Sequence, residues 1–237
     1  MRASGRNVLV MGATGRLGVA IARALTTRGD RVHLTARSEE RLLDLSAELA
    51  KCGEKPQTIP VDLSKPNAPE CLVDELRGRN LAVDDVVLAC GPFPRTPFGT
   101  LVRSDLENAL TVHAVAPLLI VQLLASDLTN AQGAVVALTD AGVTRPFPNH
   151  VAYLTAKGAV QSGLRALAEE LAPDVRVNMV ALGIVSDPEA DSDPLRTHRL
   201  ATRSRLGRFG TPEEVTHVVL SLLDSTWATG EIWGIGR

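Results

Sequence analysis

Two kinds of hydrophobic pattern alternate along most of this chain. Short uninterrupted apolar runs such as VLVM, DVVLA and AVVAL are followed by longer stretches in which apolar residues recur every three or four positions. The first kind reads as strand covered on both faces, the second as amphipathic helix. Strands are predicted at Asn7–Met11, Arg31–Ala36, Gln57–Val61, Asp85–Ala89, Ala134–Leu138, Val175–Val180 and Glu231–Ile235. Helices are predicted at Arg16–Arg28, Ser38–Lys51, Pro69–Arg77, Arg103–Ser126, Asn149–Leu171 and Pro212–Leu223. Regular alternation of strand and helix requires right-handed crossovers and an open parallel sheet. No Pro/Gly-rich linker divides the chain. The expectation is an α/β fold: one doubly wound domain over 1–237, about seven parallel strands with helices on both faces. The least regular stretch, 183–210, is expected to form a lid over a substrate.

Composition narrows the function classes. The chain has 237 residues, is 45% hydrophobic and carries a net charge of -2, which gives no reason to expect a nucleic-acid or membrane-surface partner. No apolar run of membrane-spanning length stands out, and the first residues lead straight into the first strand without a recognisable leader. Cys52, Cys71 and Cys90 form no metal-binding pair, so no metal and a reducing, cytoplasmic setting are expected. The GxSxG, HExxH and GxxxxGK[ST] patterns are absent, which leaves hydrolase, zincin and kinase-like readings without support.

The first strand-to-helix turn carries Gly12, Gly15 and Gly18 in a GxxGxxG pattern with Ala13, Thr14, Arg16 and Leu17 between them. Glycine lets backbone approach a ligand closely, and the free N–H groups and dipole of a helix start suit a pyrophosphate. The second strand ends in Ala36-Arg37-Ser38 rather than in an acid that would grip a ribose 2'-hydroxyl. Arg37 and Ser38, with Arg16 nearby, match a 2'-phosphate and so NADP(H) rather than NAD. The plainer reading of Arg37 is a solvated surface residue. Asp62 and Leu63 follow the third strand; Asp62 meets an adenine or caps a turn. Ala89, Cys90 and Gly91 end the fourth strand, with Gly91 suited to close approach of an adenosine.

The chain has one tyrosine. Tyr153 and Lys157 stand four residues apart, on one face of a predicted helix. An ammonium beside a phenol favours the phenolate and makes the pair an acid–base catalyst. Asp140, thirteen residues earlier, follows a strand at the sheet edge where open α/β folds bind ligands; a turn-forming aspartate is the alternative.

Together these residues resemble the short-chain dehydrogenase/reductase family. GATGRLG, VDLS (61–64), ALTDAG (137–142), YLTAK, ELAPDVRVNMV (170–180) and RFGTPEEV (208–215) carry the resemblance, in order and spacing, over nearly the whole chain. It implies a Rossmann fold and a catalytic set of Asp140, Tyr153 and Lys157, with Lys157 holding the nicotinamide ribose and lowering the Tyr153 pKa. The family more often has serine at the Asp140 position. Aspartate there, with Arg16, the Arg37-Ser38 pair and His-Ala-Val-Ala-Pro117, is most similar to the pteridine reductase branch. That implies NADPH, a homotetramer and a pterin-like or carbonyl substrate. Gly183 enters the cofactor set from the same resemblance.

Four positions depart from the pattern: Cys90, His113 in place of a relay asparagine, Leu182, and the Ile235-Gly236-Arg237 terminus. His113 reads either as a proton relay or as a satisfied buried histidine. These losses motivate another class of function, an NADP-binding scaffold without turnover. An epimerase is disfavoured because too few residues follow 175–180 for a further domain. Asp187, Glu189, Asp191 and Asp193 read as a solvated loop, and Arg196, Arg199, Arg203 and Arg205 as contacts to an anionic substrate or as a charged surface helix. The helices at 103–126 and 149–171 are apolar on more than one face, which predicts a homodimer or homotetramer.

Overall fold

A computed structural model describes residues 5–186 and 194–236, apart from the side chains of 194–196. The predicted alternation is present. Strands β1 (Asn7–Met11), β2 (Arg31–Ala36), β3 (Gln57–Pro60), β4 (Asp85–Leu88), β5 (Ala134–Asp140), β6 (Arg176–Leu182) and β7 (Ile232–Ile235) form one parallel sheet in the order β3-β2-β1-β4-β5-β6-β7. The order reverses between β1 and β4, where Val8 pairs with Asp85 and Met11 with Leu88. A crevice opens at the carboxyl ends of strands at such a switch point.

Period-two alternation sorts each strand between two cores. Val8 and Val10 face the layer formed by α1 (Arg16–Arg28), α2 (Glu39–Leu49) and α9 (Pro212–Asp224). Leu9 and Met11 face the other layer, which includes Leu72 and Leu76 of α3 (Ala68–Gly78), Ile120 of α5 (Ala116–Leu123) and Leu164 of α7 (Val151–Glu170). Both faces of the sheet are therefore covered, which explains why its strands are uninterrupted apolar runs.

Three boundaries differ in ways that matter for chemistry. Strand β5 runs on to Asp140, so this residue is the last of a strand, paired with Leu182, and not the first of a loop. The helix expected over 103–126 is divided into α4 (Arg103–Leu110), a π turn at Thr111–Val115, and α5; α6 (Ala125–Asn130) follows after Leu124. In a regular helix the N–H of residue 117 would donate to the carbonyl of His113, but Pro117 has none. Helix α8 (Pro194–Ala201) stands in the irregular stretch, and the acidic positions 187, 189, 191 and 193 lie outside the described residues. Residues 103–123 are also long and apolar enough to cross a membrane, contrary to expectation. Here Ala109, Ala114, Ala116, Ile120 and Val121 of that stretch are buried in the protein, while Val115 and Leu119 are exposed.

At the opposite end of the sheet from the crevice, Arg6 fastens three chain segments. Its Nε and Nη2 donate to the Asp85 carboxylate at 2.8 and 3.3 Å, Nη2 also to the Asp84 carbonyl and Nη1 to the Ala131 carbonyl. Asp85 Oδ1 also accepts the Ala134 N–H at 2.7 Å. The carboxylate is buried, so removing Arg6 takes a close cation from a desolvated charge. Arg6→Met is expected to lower the urea-unfolding free energy by about 3 kcal/mol. A loss under ~1 kcal/mol would rank this pair with exposed ones.

Candidate active site

Each glycine of the first turn has its own physical reason. Gly12 has φ +75, and a Cβ there would press on Ala89 O and Cys90 Cα at 2.7 Å. A Cβ on Gly18 would collide with Gly12 O and Ala13 Cα, so α1 lies against β1 only with glycine at this place. Gly15 is different. Its backbone is extended, and a Cβ would meet only Gly12 O, at 3.2 Å. Nothing inside the protein strictly demands glycine at 15; its missing side chain leaves the α1 start open. That start has no side-chain cap and no acidic residue in its first turn. By contrast, Ser38 Oγ caps α2 by accepting the Arg41 N–H, with Glu39 and Glu40 in that first turn.

Arginines surround the open helix end. Arg37 is exposed just after β2. Arg16 donates to Val185 O at 3.3 Å, and Arg41 donates to Thr14 O at 2.8 Å inside the glycine turn. Arg41 escaped the sequence reading; its signal was its place at the third position of a capped helix, beside Arg37 and Ser38. Asp62 caps a turn: its Oδ1 accepts the Ser64 hydroxyl at 2.8 Å and the Ser64 N–H at 3.1 Å. Those bonds, with Lys65 and Arg37 adding to them, hold its carboxyl below the usual range. Leu63 is buried beside it. The Ala89 N–H is given to Met11 O, and burial pushes the Cys90 thiol up.

Across the crevice, β5 and α7 bring three side chains together. Tyr153 donates its hydroxyl proton to Asp140 Oδ2 at 2.8 Å, and Asp140 Oδ1 accepts the Gly142 N–H at 2.6 Å. Lys157 lies one turn beyond Tyr153, buried, and donates to Leu138 O at 3.0 Å. Gln161, one turn further on the same face, donates to Thr139 Oγ1 at 3.0 Å and reaches Asp140 O at 3.5 Å. Gln161 was also missed, although the spacing 153, 157, 161 is legible as a helical stripe. The sheet edge and the helix are thus tied at successive turns.

The electrostatics correct one expectation. The Tyr153 pKa is not brought below its ordinary value by Lys157. Burial first, and then the charge and hydrogen bond of Asp140, hold the phenol well above its ordinary value. The Lys157 Nζ is 5.7 Å from the ring centroid and its bonded acceptor is a backbone carbonyl. Burial also pushes the Lys157 ammonium down, against the opposing pull of Cys90 and Asp140.

The surroundings are aromatic. The Phe93 ring meets Tyr153 edge-on at 4.7 Å and stacks on His150 at 4.4 Å, while Phe147 lies 5.0 Å from His150. His113 packs edge-on against Tyr153 at 5.3 Å.

The sequence comparisons agree with this arrangement. A family model described as Enoyl-(Acyl carrier protein) reductase matches residues 12–235. L-xylulose reductase of Bos taurus is 30% identical over 238 residues, 97% of this chain and 94% of that protein. 3-oxoacyl-[acyl-carrier-protein] reductase FabG of Aquifex aeolicus is 29% identical, over 98% of this chain and 96% of its own. The crystal structure of 3-oxoacyl (acyl-carrier-protein) reductase from Agrobacterium tumefaciens with NADP bound superposes with a TM-score of 0.90 at 25% identity, covering 97% of this chain and 92% of that one. This chain belongs to the short-chain dehydrogenase/reductase family.

Within this short-chain dehydrogenase/reductase, two expected residues serve the fold in ways the sequence did not announce. Gly91, at φ +113, makes room for His113: a Cβ would collide with the imidazole. Gly183 gives its N–H to Ile235 O, and a Cβ there would collide with the Gly236 carbonyl. His113 is neutral at neutral pH. Its Nε2 lies 2.9 Å from Pro92 O, which can only accept, so Nε2 carries the proton. Burial, with the Lys157 charge, brings its pKa down to about 4.

This depression makes stability depend on pH. Below about 6.5 the unfolded chain protonates this histidine while the folded protein, down to about 4, does not. Unfolding therefore takes up a proton, and stability falls as pH drops through that window and levels off below it. From pH 7 to 4.5, wild type is expected to lose about 2 kcal/mol more urea-unfolding free energy than His113→Gln. Parallel curves for the two proteins would show that His113 is protonated in the folded state.

Proposed function

We propose that this protein is an NADPH-dependent reductase of a carbonyl group in a small molecule. The observation that carries this reading is the Tyr153 hydroxyl, 2.8 Å from Asp140 Oδ2 and one helical turn from a buried lysine, at the carboxyl edge of the sheet. A bare nucleotide-binding scaffold has no use for that arrangement.

The residues present fit a nicotinamide dinucleotide. Thr14, Gly15, Arg16 and Leu17 offer an uncapped helix start where a Cβ has been left out, which supports a pyrophosphate. Arg37 and Ser38, with Arg16 and Arg41 close by, supply cations and a hydroxyl and no acid, which supports a 2'-phosphate. Bound NADPH supplies the hydride. Lys157 gives one of its three protons to Leu138 O and keeps two for a ribose. Tyr153 holds the proton that the substrate oxygen needs. A forming alkoxide is a stronger base than a phenolate, so it takes that proton even from a phenol that burial has raised. Asp140 orients the hydroxyl, and the phenolate left after transfer regains its proton from solvent, with Asp140, half-exposed, placed to pass it on.

The same carboxylate favours a second reading. A negative charge in contact with the proton donor opposes a growing oxyanion and favours a protonated C=N carbon, as in a pterin-like substrate. We assign the exposed apolar residues Val115, Leu119 and Val151 to contact with a second copy of the chain.

NADPH oxidation over a panel of ketones and dihydropterins tests the proposal. Tyr153→Phe is expected to retain NADPH affinity and lose at least ~100-fold in kcat; retained turnover would overturn the proton-donor role. Arg37→Asp is expected to reverse the preference for NADPH over NADH in KM, and an unchanged ratio would remove Arg37 from phosphate recognition.

A further inference from the structure

Helix α7 buries Ala152, Ala156, Val160, Leu164 and Ala168, all apolar, and with them three polar side chains, Tyr153, Lys157 and Gln161. The first two carry the acid–base chemistry. Gln161 takes no part in it, yet it is as buried as they are. An apolar residue would fill this place without the cost of desolvating a primary amide, a cost that only hydrogen bonds offset. The partners of this amide therefore matter.

Gln161 Nε2 donates to Thr139 Oγ1 at 3.0 Å and to Asp140 O at 3.5 Å. Thr139 gives its own hydroxyl proton to Val180 O at 3.3 Å, which leaves its lone pairs to accept. One amide thus grips the last two residues of β5. That strand end lacks support in the sheet. Pairing with β4 stops at Ala137, so Leu138, Thr139 and Asp140 are held in the ladder by β6 alone. After Asp140 the chain leaves the sheet into the turn Ala141–Val143. The Asp140 carboxylate reaches one atom further from the backbone than a serine hydroxyl, so a tilt of the strand end moves it further. Both its oxygens have fixed duties: Oδ2 accepts the Tyr153 hydroxyl at 2.8 Å and Oδ1 the Gly142 N–H at 2.6 Å.

We propose that Gln161 is a positioning residue for the reaction: its amide fixes the end of β5 and, through it, the place of the Asp140 carboxylate against the phenol. The kinetic part of this proposal rests on the reductase reading above. Gln161 stands two turns beyond Tyr153 on α7 and acts on it by way of the strand. Packing alone needs only the volume of the side chain at 161, whereas positioning needs its two N–H donors. A reacting group displaced by ~1 Å can cost 10²-fold in rate, and loss of one restraint among several is expected to cost less.

The chain has one tyrosine, so the full protein labelled with carbon-13 at tyrosine Cζ gives a single resonance, that of Tyr153. Its shift reports the bond to Asp140, and Asp140→Ala marks its position without the carboxylate. Gln161→Met keeps length and volume and removes both donors. Its resonance is expected to move at least halfway from the wild-type to the Asp140→Ala position. Its kcat for NADPH oxidation with a ketone is expected to fall ~10-fold, with KM for NADPH within ~2-fold of wild type. In an Asp140→Ala background the same exchange is expected to change neither resonance nor kcat. Thr139→Val removes one acceptor at constant shape; it is expected to shift the resonance the same way by a smaller step, and it decides the matter if Gln161→Met does not fold. An unmoved resonance in the folded variant overturns the assignment. So does a moved resonance with kcat within ~2-fold of wild type, or a kcat loss of equal size in the Asp140→Ala background, which is what loosened packing produces. Turnover of no carbonyl by wild type overturns the reductase reading, and the resonances still decide whether Gln161 places Asp140.

Discussion

The hydrogen bond from the Tyr153 phenol to the Asp140 carboxylate joins the two elements that make the crevice chemical. Asp140 is the last residue of β5 and Tyr153 stands in the first turns of α7, so the bond fixes the helix against the carboxyl edge of the sheet. The turns that follow repeat the arrangement, with Lys157 to Leu138 O and Gln161 to Thr139 Oγ1. Three donors on one helical stripe thus meet three successive strand residues, 140, 138 and 139, by side chain or carbonyl. A helix held at three points cannot rotate by one residue without breaking all of them. The phenol therefore takes its position from the sheet and not from the loops that cover it.

Element order and the placing of chemistry were legible from the chain because each rests on local rules. Apolar runs covered on both faces named the strands, and a fourfold spacing put Tyr153 and Lys157 on one face. The strand ends were less legible. Strand β5 ends in Thr139 and Asp140, two polar positions that give no alternation a single sequence can extend. The division of the 103–126 helix was hidden for a related reason: TVHAVAPLLIVQLL is apolar nearly all round, so its phase carries no information about winding. Pro117 was the available signal. The roles of Gly91 and Gly183 were illegible because the groups that need the space, His113 and Gly236, are distant in sequence and meet them only in the fold. The expected effect of Lys157 on Tyr153 failed on burial, since desolvation of the phenol outweighs an ammonium that bonds elsewhere.

The π turn links two features that looked unrelated in sequence, His113 and Gly91. Without a Pro117 N–H, the ladder slips at 111–115 and His113 is carried towards the site, where its ring packs on Tyr153. Its Nε2–H reaches Pro92 O, and the ring then occupies the volume that any side chain at position 91 would need. A histidine in the long helix and a glycine after the fourth strand are one device: each is tolerated because of the other. Local winding changes of this kind recur at functional sites because they let one side chain turn inward without moving the whole helix.

Among the described residues, Asp140 and Lys157 are the ionisable pair beside Tyr153, and His113, packed on its ring, is held neutral. The carboxylate raises the ammonium's pKa while burial lowers it, and the same carboxylate keeps the phenol protonated. Tyr153 therefore waits as an acid and not as a phenolate. In the reductive direction that is the useful state, since the proton must be present when the oxyanion forms. In the oxidative direction a base is required first, and both burial and Asp140 oppose it. The arrangement of one carboxylate against one buried phenol thus sets the protonation state in which the site rests.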